Sequence, residues 1–360
     1  MSREARELLA AFGRLGPGEE AVLATVVQVD GSAYRHPGAR MLLLPGGSHA
    51  GGISGGCLEK DLKGRAFGLT GRGPRVVAYD TRGTPQDPGG AFNTGCDGRV
   101  LVLLERLAGG AGGGAGGPEP LALAPLRAGP DAAGALVTVY ANGGVGDRWT
   151  EPACARDRPH TARVFEEPWA TGRPALALVE PLLPPRNLLV FGGGDDVPPL
   201  LELADAVGLR AEVIVSRPEE AARFGRRGRF LEPGAAVAAL APSARTAAVL
   251  FTHRFGDDER LLPALLASPC FYVGVLGPKK RAARLMTGLA AAGRLPDPAT
   301  LDRLFAPAGL DLGGEGPAAV ALSVLAQIEA VANGRDGGPL RARRGSIHAP
   351  EPGAAAGLGV

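Results

Sequence analysis

The sequence predicts an α/β protein of two domains, an N-terminal mixed α+β domain followed by a Rossmann-like domain with a parallel sheet. Three observations predict it. The chain has 360 residues, which as a soft prior gives two domains. The pattern changes near Arg186: before it, strand-like runs are broken by glycine-rich turns, and after it, short apolar runs alternate with helical segments, as in a parallel sheet with right-handed crossovers. Finally, the apolar run Asn187–Phe191 enters Gly192-Gly193-Gly194 and then a helical pattern, which lifts a glycine motif above chance.

Residues 1–183 make up the first domain. Ala5, Leu8, Leu9 and Phe12 share one helical face, so Arg3 to Leu15 is read as a helix. Ala21 to Val29 is a strand, Gly31-Ser32 a turn, and Arg40 to Leu44 a second strand. Gly46-Gly47 marks another turn. The stretch Gly51-Gly52-Ile53-Ser54-Gly55-Gly56-Cys57-Leu58-Glu59 leads into a helix over Leu58 to Leu69. Strands follow at Arg75 to Tyr79 and Arg99 to Glu105. Gly109 to Gly117 is almost pure Gly and Ala, with nothing to bury against its chain entropy, and is expected to be a flexible loop. Ala135 to Tyr140 and Ala175 to Val179 complete the domain, and Pro181 to Pro185 is the expected linker.

The second domain spans residues 186–333. Its strands are Asn187 to Phe191, Ala211 to Val215, Ala247 to Thr252 and Phe271 to Leu276. Its helices include Pro198 to Val207 and Pro317 to Ala332. Residues 334–360 are polar and rich in Gly and Pro, the composition of a loose tail.

Composition excludes several classes. The formal charge is 39 − 37 = +2, so no global basic field draws in nucleic acid. No apolar run approaches the ~20 residues of a membrane span, and residues 1–20 show no secretory pattern. A soluble cytoplasmic protein is therefore expected. Cys57, Cys96, Cys154 and Cys270 form no CxxC pair, and four free thiols in a reducing compartment are the expectation.

In open α/β sheets ligands bind outside the carboxyl ends of the strands. Gly192 permits a tight turn, Gly194 a close backbone approach to a pyrophosphate, and the following helix N-terminus offers N–H groups to an anion. Val197 stands where a dinucleotide fingerprint has its third glycine, and Asp195 and Asp196 would repel phosphate. At the end of the second strand, Ser216 and Arg217 suit a phosphate better than a bare ribose. His253, with Asp257 and Asp258 nearby, is a candidate proton carrier, or a structural histidine. After Gly277-Pro278, Lys279, Lys280 and Arg281 put three cations at a helix start, against the helix dipole. A nearby anion would account for them, and a solvated basic turn is the plainer alternative.

In the first domain, Cys57 lies in the glycine-rich segment just before a helix, where a thiolate is favoured as a nucleophile or soft-metal ligand. Cys96, in Asn93-Thr94-Gly95-Cys96-Asp97-Gly98, lies in a second such turn. Cys154 and Cys270 lack this setting and are read as structural.

These segments resemble the XdhC/CoxI family of xanthine dehydrogenase accessory proteins. The likeness is carried by Ala24-Thr25-Val26-Val27 with Gly31-Ser32, by Arg35-His36-Pro37-Gly38-Ala39-Arg40-Met41, by Gly52 to Glu59, and by Thr94-Gly95-Cys96. It continues in Phe191 to Asp196, Thr252-His253, Gly274 to Pro278, Pro307 to Gly313, and Ala321 to Ser323 with Gln327-Ile328. The resemblance implies a molybdenum-cofactor chaperone that supports sulfuration of the cofactor and its insertion into a molybdenum hydroxylase. Its implied partners are a xanthine dehydrogenase-like apo-enzyme, a cysteine desulfurase and a second copy of itself. The implied site is Arg40, Ser54, Gly55, Gly56, Cys57 and Cys96, with Gly192, Gly193, Gly194, Ser216, Arg217, His253, Gly277 and Lys279. Molybdopterin's phosphate suits the glycine turn and the Lys279–Arg281 cluster, and thiophilic molybdenum suits Cys57. Ser216 departs from the family's usual acid and Asp97 from a common glycine, and the loop Gly313 to Pro317 departs from its usual threonine-containing form. Two other readings of the same residues stay open. One is an NAD(P)-dependent oxidoreductase using His253 or Cys57 as proton carrier, and the other a redox or metal sensor built on Cys57 and Cys96.

Overall fold

In a computed structural model of the chain, the described residues are 3–80, 98–110, 120–127, 134–152, 161–168 and 174–343. They divide into two compact units, Arg3–Pro184 and the chain from Pro185 onward. The turn carrying Cys96, the Cys154 segment, residues 111–117 of the Gly/Ala loop and the tail from 344 lie outside the described residues.

The first unit runs α1 (Arg3–Gly13), β1 (Glu20–Gly31), β2 (Arg40–Leu43), β3 (His49–Gly51), α2 (Cys57–Leu69), β4 (Arg75–Asp80), β5 (Gly98–Ala108), β6 (Ala135–Ala141), β7 (Arg148–Glu151), β8 (Thr161–Pro168) and β9 (Pro174–Pro181). Its strands form two antiparallel sheets, β3-β2-β1-β5-β4 and β7-β6-β9-β8. β1 is buried from Ala21 to Val27 without alternation, because a helix covers each of its faces. Leu23 packs with Leu8, Leu9 and Phe12 of α1. Val22, Ala24 and Val26 pack with Leu58, Leu62 and Ala66 of α2. The two sheets meet through Val27, Leu103, Tyr140 and Leu178.

The second unit runs β10 (Asn187–Phe191), α3 (Val197–Val207), β11 (Arg210–Val215), α4 (Pro218–Ala221), β12 (Gly228–Phe230), α5 (Pro233–Leu240), β13 (Thr246–Leu250), α6 (Phe255–Ala267), β14 (Tyr272–Val275), α7 (Lys279–Ala291), α8 (Pro298–Leu301), β15 (Leu304–Phe305) and α9 (Pro317–Ala332). All pairings in its sheet are parallel, in the order β12-β11-β10-β13-β14-β15. Numbered within the unit this is 3-2-1-4-5-6, the doubly wound dinucleotide-fold order. Leu200 and Ala204 of α3 and Ala321, Val324 and Ile328 of α9 cover one face. Val237, Leu261, Leu265 and Leu285, from α5, α6 and α7, cover the other. Covering on both faces explains why β13 is buried at every position. The order reverses between β10 and β13, which opens a crevice at their carboxyl ends. Among the described residues no helix is long and apolar enough to cross a membrane.

Candidate functional site

Two glycine-rich turns, one in each unit, carry the candidate chemistry. In the first unit the chain leaves β3 at Gly51 (φ +72°), where a Cβ would lie 2.4 Å from the Arg40 carbonyl oxygen. The turn then wraps around the carboxylate of Glu59. Oε1 accepts from the N–H groups of Ile53 (2.9 Å) and Ser54 (2.6 Å). Oε2 accepts from the Gly56 N–H (3.0 Å) and from the Ser54 hydroxyl. The Ser54 hydroxyl in turn accepts from the N–H groups of Gly56 (3.1 Å) and Leu58 (3.3 Å). Glu59 is 6% exposed. Burial raises its pKa, but the Ser54 hydroxyl and the backbone N–H donors outweigh that and hold the carboxyl below its ordinary value.

The anion attracted to the start of α2 is therefore the chain's own. Cys57 is the first residue of that helix, is half-buried and is a free thiol. A cavity of about 370 Å³ adjoins the turn, lined by His49, Gly52, Ser54, Gly56, Lys60 and Lys63 among others. Gly55, the turn's midpoint, has open space around it. Glu59 had no role in the sequence reading. Its signal was present, because it stands three residues after the N-cap Gly56, the position from which Glu bonds back to the cap N–H.

Arg40 requires a correction. Its Nη1 and Nη2 donate to Glu180 Oε1 (2.8 Å) and Oε2 (2.6 Å), and Nη1 also to the Gly38 carbonyl (2.9 Å). Arg40 and Glu180 are 4% and 1% exposed. Held in this buried pair between β2 and β9, Arg40 is not free to meet a cofactor. Arg35 is likewise engaged, with both oxygens of Glu4 (2.6 and 2.7 Å).

In the second unit, Gly192 (φ +127°) is the tight point. A Cβ there would lie 2.1 Å from the Phe251 carbonyl oxygen, so the turn grazes the end of β13. The Gly192 N–H donates to Ile214 (2.8 Å). Those of Gly193 and Gly194 donate to no acceptor among the described residues. The helix start itself offers less than expected. α3 opens Val197-Pro198-Pro199, the prolines have no N–H, and the Val197 N–H is turned back to the Gly194 carbonyl (3.2 Å).

A cavity of about 360 Å³ opens here, within the ~300–1,000 Å³ range of small-molecule sites. Phe191, Ile214, Leu231, Ala236 and Leu261 form apolar wall, and Ser216, Glu220, Arg254, Asp257 and His253 bring polar groups to it. Ser216 donates to Asp257 Oδ2 (2.9 Å) and accepts from Arg254 Nη1 (2.9 Å). Arg254 Nη2 donates to Glu220 Oε1 (3.3 Å). Arg217 is exposed and 3.8 Å from that same oxygen. His253 adopts a left-handed backbone (φ +53°), uncommon for a residue with a side chain. Its Nε2 lies 3.3 Å from Asp196 Oδ2.

The structure thus brings Gly192, Gly193, Gly194, Ser216 and His253 to one crevice, and leaves Gly277 and Lys279 off its lining. The basic helix start has its anion inside the protein. Arg281 donates through Nε (2.9 Å) and Nη2 (2.5 Å) to Asp258 Oδ2, and Asp258 is 1% exposed. Gly277 (φ +128°) leaves room for Arg281, whose Cδ would lie 2.7 Å from a Cβ there. Lys279 is exposed. Among the described residues no group of three or more His, Cys, Asp or Glu side chains gathers as a metal site.

Comparison with known proteins matches the two units separately. Residues 188–328 match the XdhC Rossmann domain, and residues 15–80 match the XdhC and CoxI family. The chain is 29% identical over 326 residues to a Bacillus subtilis (strain 168) protein named as a probable xanthine dehydrogenase subunit, covering 86% of this chain and 92% of that protein. It is also similar to the crystal structure of a xanthine dehydrogenase from Bacillus halodurans, with a TM-score of 0.69 and 27% identity, over 93% of this chain and 97% of that one.

Proposed function

The chain belongs to the XdhC and CoxI family, associated with xanthine dehydrogenase maturation, and carries an XdhC Rossmann domain; from that premise we propose that it is a carrier of the molybdenum cofactor. One observation carries the proposal: the Glu59-anchored turn holds Cys57 at the head of α2, between Gly56 and Lys60, which themselves line a cavity with His49 and Lys63.

The donor set fits the cofactor. A thiol is the soft ligand that molybdenum favours, and two ammonium groups with an imidazole suit the phosphate of molybdopterin. The N–H groups that Glu59 occupies leave that phosphate to the side chains. When bound, the cofactor supplies the oxygen-transfer chemistry that a hydroxylase uses after handover. This chain's residues bind and release it. Cys57 would contact the metal, Lys60 and Lys63 the phosphate, and Glu59 would keep the turn in one shape. The partners are a xanthine dehydrogenase-type apo-enzyme and a cysteine desulfurase.

The test is purification from a host that makes the cofactor, with assay of bound pterin and molybdenum. Near-stoichiometric pterin is expected in the parent protein. A large loss is expected in Cys57→Ala and in the Lys60→Ala/Lys63→Ala double variant. Background pterin in a folded parent protein would overturn the proposal.

A further inference from the structure

The cavity of the second unit takes no part in the cofactor carriage proposed for the first. In a dinucleotide fold, an acid at the end of the second strand accepts hydrogen bonds from the ribose hydroxyls. Here the strand end is Ser216, and by sequence it suggests a phosphate. The structure restores acid to that place in space. Asp257, from the first turn of α6, is hydrogen-bonded to Ser216 at 2.9 Å. Glu220, from α4, reaches in beside Gly193, its Oε2 lying 3.7 Å from where a Gly193 Cβ would stand.

Each carboxylate keeps one oxygen open. Asp257 Oδ2 takes Ser216, and Glu220 Oε1 takes Arg254. Asp257 Oδ1 and Glu220 Oε2 have no hydrogen-bond partner among the described residues. Both residues line the cavity and are 18% and 27% exposed at the side chain. Two open acceptor oxygens are what a vicinal diol needs, since each hydroxyl brings its own hydrogen.

The same wall is hostile to an added phosphate. Arg254 is the cation that lines the cavity among the described residues. Its Nη1 and Nη2 each donate one N–H inward, to Ser216 and Glu220, and the Glu220 carboxylate offsets the charge. Against it stand Glu220 and Asp257. A ribose 2′-phosphate would place about two negative charges against them.

We propose that this cavity binds an adenine nucleotide with an unsubstituted ribose 2′,3′-diol, of the NAD type, with Asp257 and Glu220 accepting from the diol and the open N–H groups of Gly193 and Gly194 turned to the phosphates. The apolar wall of Ile214, Leu231 and Ala236 takes the base. The acid that selects the ribose comes from two helices after the strand instead of from the strand end, which is why the local motif misleads.

The experiment is calorimetric titration of the full-length protein with NAD⁺, NADP⁺ and AMP, repeated on Asp257→Asn and Glu220→Gln. NAD⁺ and AMP are expected to bind and NADP⁺ to bind at least about tenfold more weakly, the cost of one unpaired or repelled polar contact. Each substitution is expected to weaken NAD⁺ about tenfold and to narrow the gap to NADP⁺. Glu220→Gln stands apart from the Ser216 hydrogen bond, so it reports on the diol even if Asp257→Asn disturbs the fold. Tighter binding of NADP⁺ than NAD⁺, or no binding of any of the three by folded protein, would overturn the assignment. Pterin content reads the other unit, so either proposal can fail while the other stands.

Discussion

Replacing Glu59 with Gln tests the central claim about the first unit, that a buried carboxylate sets the shape of the Cys57 turn. The substitution keeps volume and removes charge. One amide position still accepts from Ile53 and Ser54. The other becomes an NH₂ facing the Gly56 N–H, and the Ser54 hydroxyl loses an acceptor. Hydrogen bonds to a charged acceptor are worth ~1.5–3 kcal/mol and neutral ones ~0.5–1.5. One bond lost outright and others reduced to neutral strength cost roughly 3 kcal/mol, and relief from burying a charge returns part of it. The expected net loss is about 2 kcal/mol, or about 4–8 °C in Tm for a unit of this size. The chain's two tryptophans, Trp149 and Trp169, both belong to the first unit's sequence, so tryptophan emission during urea unfolding isolates that unit. The sign of the pH dependence follows from the lowered pKa. A carboxyl depressed in the fold contributes stability that is present above its unfolded pKa and lost as pH falls through the folded one. The gap between parent and Glu59→Gln should thus be full at neutral pH and close in acid. Alkylation of Cys57 should quicken as the turn loosens. A midpoint shift under about 0.5 kcal/mol at neutral pH, or one that persists unchanged into acid, would refute the anchoring role.

The buried Arg40–Glu180 pair predicts a non-additive cycle. Arg40→Met alone strands a carboxylate that is 1% exposed and should cost about 3–5 kcal/mol, while Arg40→Met with Glu180→Leu should recover most of it; tryptophan-detected urea midpoints of the three variants check this. In the second unit, Gly192→Ala meets a backbone oxygen at 2.1 Å with φ at +127° and should cost more than about 3 kcal/mol. Gly193→Ala meets only side chains, Val215 at 3.3 Å, Phe224 at 3.4 Å and Glu220 at 3.7 Å, and should cost under about 1; far-UV circular dichroism melts distinguish the two.

Four strands of the Rossmann unit, β10, β11, β13 and β14, were legible because they stand out as compact, largely buried apolar runs, whereas β12 and β15, short and partly exposed, were not. α9, with prolines and glycines at its ends, was read at Pro317–Ala332, its observed limits. β3 was not legible, since three residues, His49–Gly51, are too few to show a period. α5 was missed because Pro-Gly-Ala-Ala-Val-Ala-Ala-Leu is apolar nearly all round and shows no stripe. Arg40 was misread because a cation in Arg-Met-Leu-Leu looks like a strand's solvent face. Its partner lies 140 residues away, and no local pattern reports such a pairing. Glu220 and Asp257 were hidden for the same reason: their convergence with Ser216 depends on the sheet's strand order.

The two glycine turns show most clearly what composition leaves undecided. Gly52-Ile-Ser-Gly-Gly56 and Phe191-Gly-Gly-Gly194 both end a strand, precede a helix and are suited to curl their N–H groups around an anion. In the first, Glu59 lies three residues past the cap and fills the concavity, so the turn is a rigid platform whose useful group is the thiol that it presents. In the second, Asp195 and Asp196 follow directly and Pro198 and Pro199 remove donors, so no internal carboxylate is drawn in and the N–H groups of Gly193 and Gly194 stay open to a cavity. The difference lies in the spacing of one carboxylate relative to the turn. An acid at the third helical position bonds back to the turn's own N–H groups, whereas at the cap Asp195 faces solvent and Asp196 turns to His253. It follows that the first turn has no backbone N–H to offer an added phosphate so long as Glu59 is charged, which leaves that task to Lys60 and Lys63, while the second turn keeps unpaired backbone N–H groups at its cavity.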